Sequence, residues 1–135
     1  MVTPAHRGFP RTARLTRPAD FTRVYGRRQS AASGQIVVYA LPNRLPDGWV
    51  RLGLSVSRRI GTAVVRNRWK RRLREAFRAV RAELPRGIDV IVVVRSGQPP
   101  VGAAGLRQTT ETIAALVARI TKRPGFFADG AAGAG

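Results

Sequence analysis

The sequence predicts an α+β fold in which helices pack on one small sheet as a two-layer sandwich. Apolar segments with the period of two that is typical of strands are interspersed with longer segments of helical period. The chain has 135 residues, 44% of them hydrophobic, which is enough for one domain with its own core. The expected order of elements is α-β-β-α-β-α, which we interpret as an α+β sandwich with helices packed on one small sheet.

The first helix is expected to begin with Thr16 as N-cap, with Pro18 in its first turn, and to end at Gly26. Its apolar residues recur at i, i+3 and i+4, and they are Phe21, Val24 and Tyr25. We interpret the Ser/Ala/Gly segment that follows Arg28 as a turn.

Two strands are predicted next, at Gln35–Leu41 and Trp49–Val56, and the second alternates strictly between apolar and polar or small residues. The loop between them is rich in turn formers, and an extra hairpin strand near Arg44–Asp47 would also fit it. Asp89–Val94 is continuously apolar after its first residue, which indicates a strand covered on both faces. The last helix is expected over Gly105–Ile120.

The ends of the chain lack the pattern of a core. Residues 1–13 form a basic arm broken by prolines, and we expect it to be flexible. Residues 14–121 are predicted to form the single folded domain. Residues 122–135 are rich in Gly and Ala, and we expect a disordered tail there.

The helix between the second and third predicted strands carries an unusual amount of positive charge. Thr62 is its expected N-cap, and Pro85–Gly87 ends it. At 100° per residue, one arc of the helix is apolar and contains Val65, Trp69, Leu73, Ala76, Phe77, Val80 and Leu84. The opposite side is basic and contains Asn67, Lys70, Arg71, Arg74, Arg78 and Arg81. The apolar arc must face the sheet, so the basic side must face outward.

This basic side favours an external anionic partner, and a merely solvated face in an Arg-rich chain is the alternative. Arg66, Lys70, Arg74 and Arg78 form successive i,i+4 pairs of like charge, and each pair costs about 0.2–0.5 kcal/mol of helix stability. The whole chain has 25 basic and 7 acidic residues and a net charge of +18. A polyanion is the simplest compensator, and nucleic acid is the leading candidate. The charge pattern by itself does not distinguish DNA from RNA, and an anionic membrane surface is the other candidate.

The sequence argues against catalysis by the protein itself. It contains no cysteine, and its one histidine, His6, lies in the arm. No two of its acidic residues form a close motif of the kind that a two-metal nuclease needs. The longest apolar run, Val90–Val94, is far too short to span a membrane.

The segment RLGLSVSRRIGTAVVRNRWKRRLREAFR resembles the signature of the bacterial ribonuclease P protein subunit. The matching parts are a strand that ends in Gly53–Ser57, a basic-basic-Ile-Gly turn at Arg58–Gly61, and an Arg-Asn-Arg motif at Arg66–Arg68. An upstream helix is similar as well, with matches at Leu15, Asp20, Phe21, Tyr25 and Gly26. The resemblance covers residues 14–121. Trp69, where the family usually has an aliphatic residue, and Pro18, where it commonly has a basic or polar one, depart from the pattern.

The resemblance implies a function. Proteins of this family bind a catalytic RNA, and the ribonucleoprotein removes the 5′ leader from precursor tRNA. Catalysis belongs to the RNA and its Mg²⁺ ions, so the protein alone is not expected to be catalytic. The expected partners are therefore ribonuclease P RNA and precursor tRNA, with no membrane and no small-molecule substrate, in the cytoplasm. The resemblance also implies a left-handed βαβ crossover around the Arg-rich helix.

The resemblance also assigns roles to residues by position. The residues expected to contact the RNA subunit are Arg58, Arg59, Arg66, Asn67, Arg68, Lys70, Arg71 and Arg74. Those expected to bind the single-stranded tRNA leader are Phe21, Tyr25, Tyr39 and Arg95. Aromatic faces stack on unpaired bases and Arg pairs with phosphates, so these residue types suit the task. Core packing is an alternative role for the three aromatic residues.

Two alternative functions remain open from the sequence. A ribosomal or other structured-RNA-binding protein with no processing role would have the same basic helix. A protein that lies on a membrane surface is the second alternative, although three strands and bulky apolar residues on each helix favour a self-contained core.

Overall fold

The computed structural model describes residues 13–45 and 48–128. We number the helices and strands in chain order. They are α1 (Pro18–Gly26), β1 (Ser30–Ser33), β2 (Ile36–Pro42), β3 (Arg51–Ser55), α2 (Ala63–Val80), β4 (Ile88–Val94) and α3 (Gly102–Thr121). Short 3₁₀ turns precede and follow α2, at Arg58–Ile60 and Arg81–Glu83. The predicted α+β class is confirmed.

The strands form one four-stranded sheet in the order β1-β2-β4-β3. The pairs β1–β2 and β2–β4 are antiparallel, and Tyr39 lies opposite Ile91 in the second of them. Strands β3 and β4 are parallel, with Gly53 opposite Ile91. Helix α2 therefore connects two neighbouring parallel strands as a βαβ unit. The left-handedness of this crossover stays a prediction from the family resemblance.

The main core lies between one face of the sheet and the helices α2 and α3. Successive residues of a strand point to opposite faces, so alternate residues of β2 and β4 share this side. The strands contribute Ile36, Val38, Ala40, Leu52, Val90, Val92 and Val94. The helices contribute Trp69, Leu73, Ala76, Phe77, Val80, Ile113, Leu116, Val117 and Ile120. The predicted strand that is covered on both faces is confirmed, because nearly all of β4 is buried.

Helix α1 packs on the opposite face of the sheet, over a second and smaller apolar cluster. This cluster consists of Leu15, Val24, Leu41 and Ile91. The two-layer description therefore applies to the sheet with α2 and α3, while α1 adds partial cover on the other side. Part of that second face remains open to solvent, and this positions the aromatic residues described below.

Three sequence predictions about the elements were wrong. Ser30–Ser33 is not a turn but the edge strand β1, because it pairs with β2 in a hairpin. The sheet does contain an extra hairpin strand, but it is β1 and not a segment near Arg44–Asp47. Arg44 and Leu45 are in no strand, and residues 46 and 47 lie outside the described residues. The N-cap of α1 is Arg17 and not Thr16, and its side chain makes no capping hydrogen bond.

The folded region extends beyond the predicted domain at both ends. Ala13 is fully buried in the main core, and so is Phe126, at 1% exposure. Arg123 donates hydrogen bonds to the side chain of Gln29 and to the carbonyl of Ser30, which joins the end of α3 to β1. The folded region therefore continues past residue 122, where the sequence predicted the start of a disordered tail. Residues 1–12 of the predicted arm and residues 129–135 lie outside the described residues.

Candidate nucleic-acid interface

Helix α2 is fixed to the core through the predicted apolar arc. Thr62 caps it as expected, because its side-chain oxygen accepts a hydrogen bond from the backbone N–H of Val65 at 3.3 Å. Trp69, which departs from the family pattern, is 1% exposed, and its Nε1 donates to the carbonyl of Gly97 at 2.9 Å. A buried indole whose N–H has a partner costs nothing in lost hydrogen bonding. This seating turns the basic side of the helix outward.

We use the name basic surface for the set of residues that are predicted to contact the RNA subunit. Exposed members are Arg58, Arg59, Asn67, Arg68 and Arg71, and half-buried members are Arg66, Lys70 and Arg74. None of them forms an ion pair with an acidic residue in the described part of the chain. Glu75 pairs with Arg72 at 3.6 Å, and Arg72 also donates to the carbonyl of Pro100, so this acid and this base serve the fold. The basic surface is thus available to an external anion.

Arg66 carries the clearest sign of a missing partner. Its Nε atom is buried and has no hydrogen-bond partner within residues 13–45 and 48–128. A buried donor without a partner costs about 1–3 kcal/mol. The N-terminus of α2 lies directly before it, and no acidic residue occupies the first turn of that helix. A bound phosphate would therefore satisfy both the guanidinium group and the helix dipole.

The aromatic residues predicted for the leader form one cluster on the second face of the sheet. The ring centroids of Phe21 and Tyr25 are 6.1 Å apart, and those of Tyr25 and Tyr39 are 4.9 Å apart, both in edge-to-face arrangements. All three rings are half-buried, and they pack against the apolar cluster that contains Leu15 and Ile91. We call these three residues the aromatic cluster. Each ring packs in a core on one side and is open to solvent on the other, so core packing and stacking on an RNA base are compatible roles for these residues.

The hydroxyl of Tyr25 stays protonated at physiological pH. Burial raises the pKa of Tyr25, a side-chain hydrogen bond with Ser55 opposes part of that rise, and Tyr39 adds to it. The neutral phenol can donate a hydrogen bond to a nucleic acid, and it adds no negative charge that would repel phosphate.

Beyond the aromatic cluster, the second face of the sheet is only partly covered, and we call this partly exposed strip the trough. Val37 and Val93 lie opposite each other in neighbouring strands of this face, and both are half-buried. Arg95 follows the end of β4, about 13 Å along the strand from Ile91. Its guanidinium donates to the carbonyl of Gly34 at 2.8 Å. The structure thus places Arg95 at the far end of the trough and not against the aromatic rings.

The structure also shows a charged network that the sequence analysis missed. Asp89 is fully buried and accepts a bidentate pair of hydrogen bonds from Arg51, both at 2.8 Å. It also accepts from Arg23 of α1 and, at 3.0 Å, from the side chain of Asn43. Asp20 lies 3.7 Å from Arg23 and 3.8 Å from Arg51. The network ties α1 to the sheet and so holds one wall of the trough.

One signal in the sequence could have revealed this network. Asp89 stands in a segment, Ile88–Val94, that is otherwise entirely apolar, and a buried carboxylate is rare unless it is paired. Its partners could not be named from sequence, because Arg51 and Arg23 are 38 and 66 residues away along the chain.

The fold and these surfaces define a class of protein: a small α+β nucleic-acid-binding subunit, with an aromatic cluster on one side and a basic surface that has no acidic partner in the described part of the chain. Comparison with known proteins makes this specific. The sequence profile of the protein family described as Ribonuclease P matches residues 9–121. This chain belongs to the ribonuclease P protein family, and it is the protein subunit of an RNA-based ribonucleoprotein enzyme that acts in tRNA processing.

Individual relatives agree with this assignment. The ribonuclease P protein component of Desulfovibrio desulfuricans is 41% identical over 87 residues, which cover 64% of this chain and 67% of the relative. That of Staphylococcus aureus is 33% identical over 110 residues, which cover 82% and 94%. The solved structure of the Staphylococcus aureus RNase P protein superposes with a TM-score of 0.59 at 35% identity, and it covers 85% of this chain and 97% of the other. The Thermotoga maritima protein gives a TM-score of 0.59 at 27% identity, with coverage of 82% and 96%.

Proposed function

We propose that the basic surface binds the ribonuclease P RNA and that the trough with the aromatic cluster binds the 5′ leader of precursor tRNA. The observation that carries the proposal is the absence of acidic partners for the basic surface within the described residues. A buried Nε of Arg66 without a partner, next to a helix N-terminus, marks one point where an RNA phosphate completes the hydrogen bonding.

The leader assignment rests on the geometry of the second face. A single-stranded RNA needs aromatic surfaces for its bases and cations for its phosphates. The aromatic cluster supplies the first, and Arg95 at the far end of the trough supplies a cation. Helix α1 and the sheet are held at a fixed distance by Asp89, so the trough is formed before RNA binds.

In this proposal the RNA subunit holds the Mg²⁺ ions. Within residues 13–45 and 48–128, no three His, Cys, Asp or Glu residues are arranged to hold a metal ion. Asp20 and Asp89 both lie close to Arg23 and Arg51, and these two arginines neutralise their charges. The protein contributes fixed positive charge and a preorganised groove.

No helix in the described part of the chain has both the length and the apolar character needed to cross a lipid bilayer.

Reconstituted cleavage tests the proposal. Purified protein is added to the catalytic RNA at a Mg²⁺ concentration too low for the RNA to act alone, with a precursor tRNA that carries a 5′ leader. We expect the complete mixture to release the leader and the protein alone to cleave nothing, because the positive charge replaces part of the Mg²⁺ that screens RNA phosphates. No stimulation by folded protein would reject the proposal.

A matched pair of substrates tests the leader assignment separately. Precursor tRNA and mature tRNA differ only by the leader, so the holoenzyme should bind the precursor more tightly. Replacing Tyr39 with Ala should reduce this preference, since stacking on one aromatic ring contributes about 1–3 kcal/mol per base. Equal loss of affinity for both RNAs would place Tyr39 outside the leader site.

A further inference from the structure

A pocket lies where three parts of the chain meet: the segment that leads into α1, strand β3 and the middle of α2. Its volume is about 270 Å³. Its polar lining comes from Arg14, Thr16, Lys70 and Arg74, and its apolar lining includes Leu52 and Phe21. The pocket thus joins the basic surface, through Lys70 and Arg74, to the aromatic cluster, through Phe21.

Backbone pairing with the sheet places Arg14 at this pocket. Arg14 forms an isolated parallel bridge with Leu52, and the backbone N–H of Leu15 donates to the carbonyl of Leu52 at 2.8 Å. Residues 14 and 15 therefore run beside β3 as a short extension of the sheet. Lys70 and Arg74 approach from α2, where a spacing of four residues puts them on one side of the helix. Cations from two separate elements converge on one cavity.

This convergence has an electrostatic cost in the free protein. Burial lowers the pKa of Arg74, and the positive charge of Arg14 lowers it further. No acidic residue of the described segments, 13–45 and 48–128, lines the pocket. Like charges that share a partly desolvated site repel each other, and a bound anion removes that repulsion. The hydroxyl of Thr16 adds a hydrogen-bond donor that is suited to a phosphate oxygen.

We propose that this pocket binds one unpaired RNA nucleotide, with Arg14, Lys70 and Arg74 around its phosphodiester group and its sugar or base against Phe21 and Leu52. The apolar wall distinguishes this site from one for a free inorganic anion, and the pocket is lined by both kinds of surface that an unpaired nucleotide requires. The inference rests on the proposed function, because it assigns a ligand to a cavity between the two proposed RNA surfaces. It adds Arg14 to the residues that bind RNA.

The nucleotide has two possible sources, the leader of the precursor tRNA or an unpaired position in the RNA subunit. The variant Arg14→Gln tests both in two binding measurements. The first is the affinity of the protein for the RNA subunit alone. The second is the affinity of the holoenzyme for precursor tRNA compared with mature tRNA. The matched control is Arg107→Gln, which removes the same charge from an exposed position on α3.

We expect Arg14→Gln to weaken one of these affinities about tenfold, because a charge-assisted hydrogen bond to phosphate is lost. The slope of log affinity against log salt concentration should become shallower by about 0.7–0.9 in the same measurement. A loss in the first measurement identifies the RNA subunit as the source, and a loss confined to precursor tRNA identifies the leader. The control should change neither measurement.

Two further variants separate a phosphate contact from a structural effect. Arg14→Lys keeps the charge and should restore most of the affinity and the salt slope. The double variant Arg14→Gln/Arg74→Gln should lose less than the sum of the single losses, because both side chains hold one phosphate.

The proposal is overturned if Arg14→Gln matches Arg107→Gln in both measurements, or if Arg14→Lys restores nothing. Failure of the wild-type protein to stimulate cleavage would instead reject the proposed function, so the two failures are distinguishable.

Discussion

Asp89 shows how one buried carboxylate fixes a helix over the face that we propose binds the leader. It is fully buried at the start of β4, and its two oxygens accept from Arg51, Arg23 and Asn43, which lie in three separate parts of the chain. Because Arg23 belongs to α1, the network fixes that helix over the sheet. The sequence identified Asp89 only as the first residue of a strand, since partners so distant along the chain become visible only in the folded structure.

We expect Asp89→Ala to lower the free energy of unfolding by about 3–5 kcal/mol, because it removes the fully buried carboxylate that pairs with both Arg23 and Arg51 and leaves the more distant Asp20 as their acidic neighbour. Urea denaturation measures this change. The control Asp20→Ala removes a partly exposed acid that lies 3.7–3.8 Å from the same arginines, and it should cost at most about 1 kcal/mol. Equal effects of the two variants would show that the Asp89 network does not anchor α1.

Gly53 is required by the close approach of α1 to the sheet. A Cβ atom at this position would lie 2.8 Å from Cζ of Phe21 and 3.1 Å from Cβ of Leu15. We expect Gly53→Ala to cost about 1–3 kcal/mol of stability through overpacking. It should also displace Phe21 and weaken leader binding more than binding to the RNA subunit.

Thermal denaturation and the affinities for precursor and mature tRNA measure the two effects of Gly53→Ala. The isosteric core variant Val92→Thr serves as a control, because it destabilises the main core on the opposite face without touching Phe21. A Gly53→Ala protein with wild-type stability would contradict the close packing.

At the scale of elements, the sequence was most informative where periodicity was strong. Helix α2 was predicted with its cap and its buried side, because a repeating pattern over 18 residues leaves one way to seat the helix. Strand β1 was missed, since Ser30–Ser33 has little strand propensity and becomes a strand through pairing with β2. The role of Phe126 was missed because it lies in a segment rich in Gly, Ala and Pro, and the adjacent pair Phe126 and Phe127 establishes no periodicity.

The basic helix allows a direct test of its assignment. We expect the double variant Arg66→Ala/Arg68→Ala to bind the RNA subunit more weakly by about 2–3 kcal/mol, because two phosphate contacts are lost. The fold should persist, since neither residue forms an ion pair within the described part of the chain. Filter binding measures the affinity, and circular dichroism with thermal denaturation checks the fold.

The matched control is Arg107→Ala/Arg119→Ala, which removes two exposed arginines from α3. It alters the net charge equally, so a comparable loss of affinity would mean that total charge, and not the position of the charges on α2, determines binding.

At the scale of the whole molecule, the two surfaces that we propose bind RNA lie on different sides of the sheet. Helices α2 and α3 cover one face, and the basic surface lies on the outside of this layer. The other face is only partly covered by α1 and carries the aromatic cluster. The sequence predicted the residue types of both surfaces, but not their relative placement, because that depends on how β3 and β4 pair around α2. The pocket beside Arg14 lies where the two surfaces meet.

The central proposal is that the basic surface, which has no acidic partner among the residues that the structure describes, neutralises RNA phosphates. The most direct test measures the affinity of the protein for the RNA subunit as a function of salt, for the wild type and for Arg66→Ala/Arg68→Ala. We predict a steep log–log dependence for the wild type and a slope that is shallower by about 0.9 for each lost contact in the variant. A flat response of the wild type, or identical slopes for the two proteins, would contradict the claim.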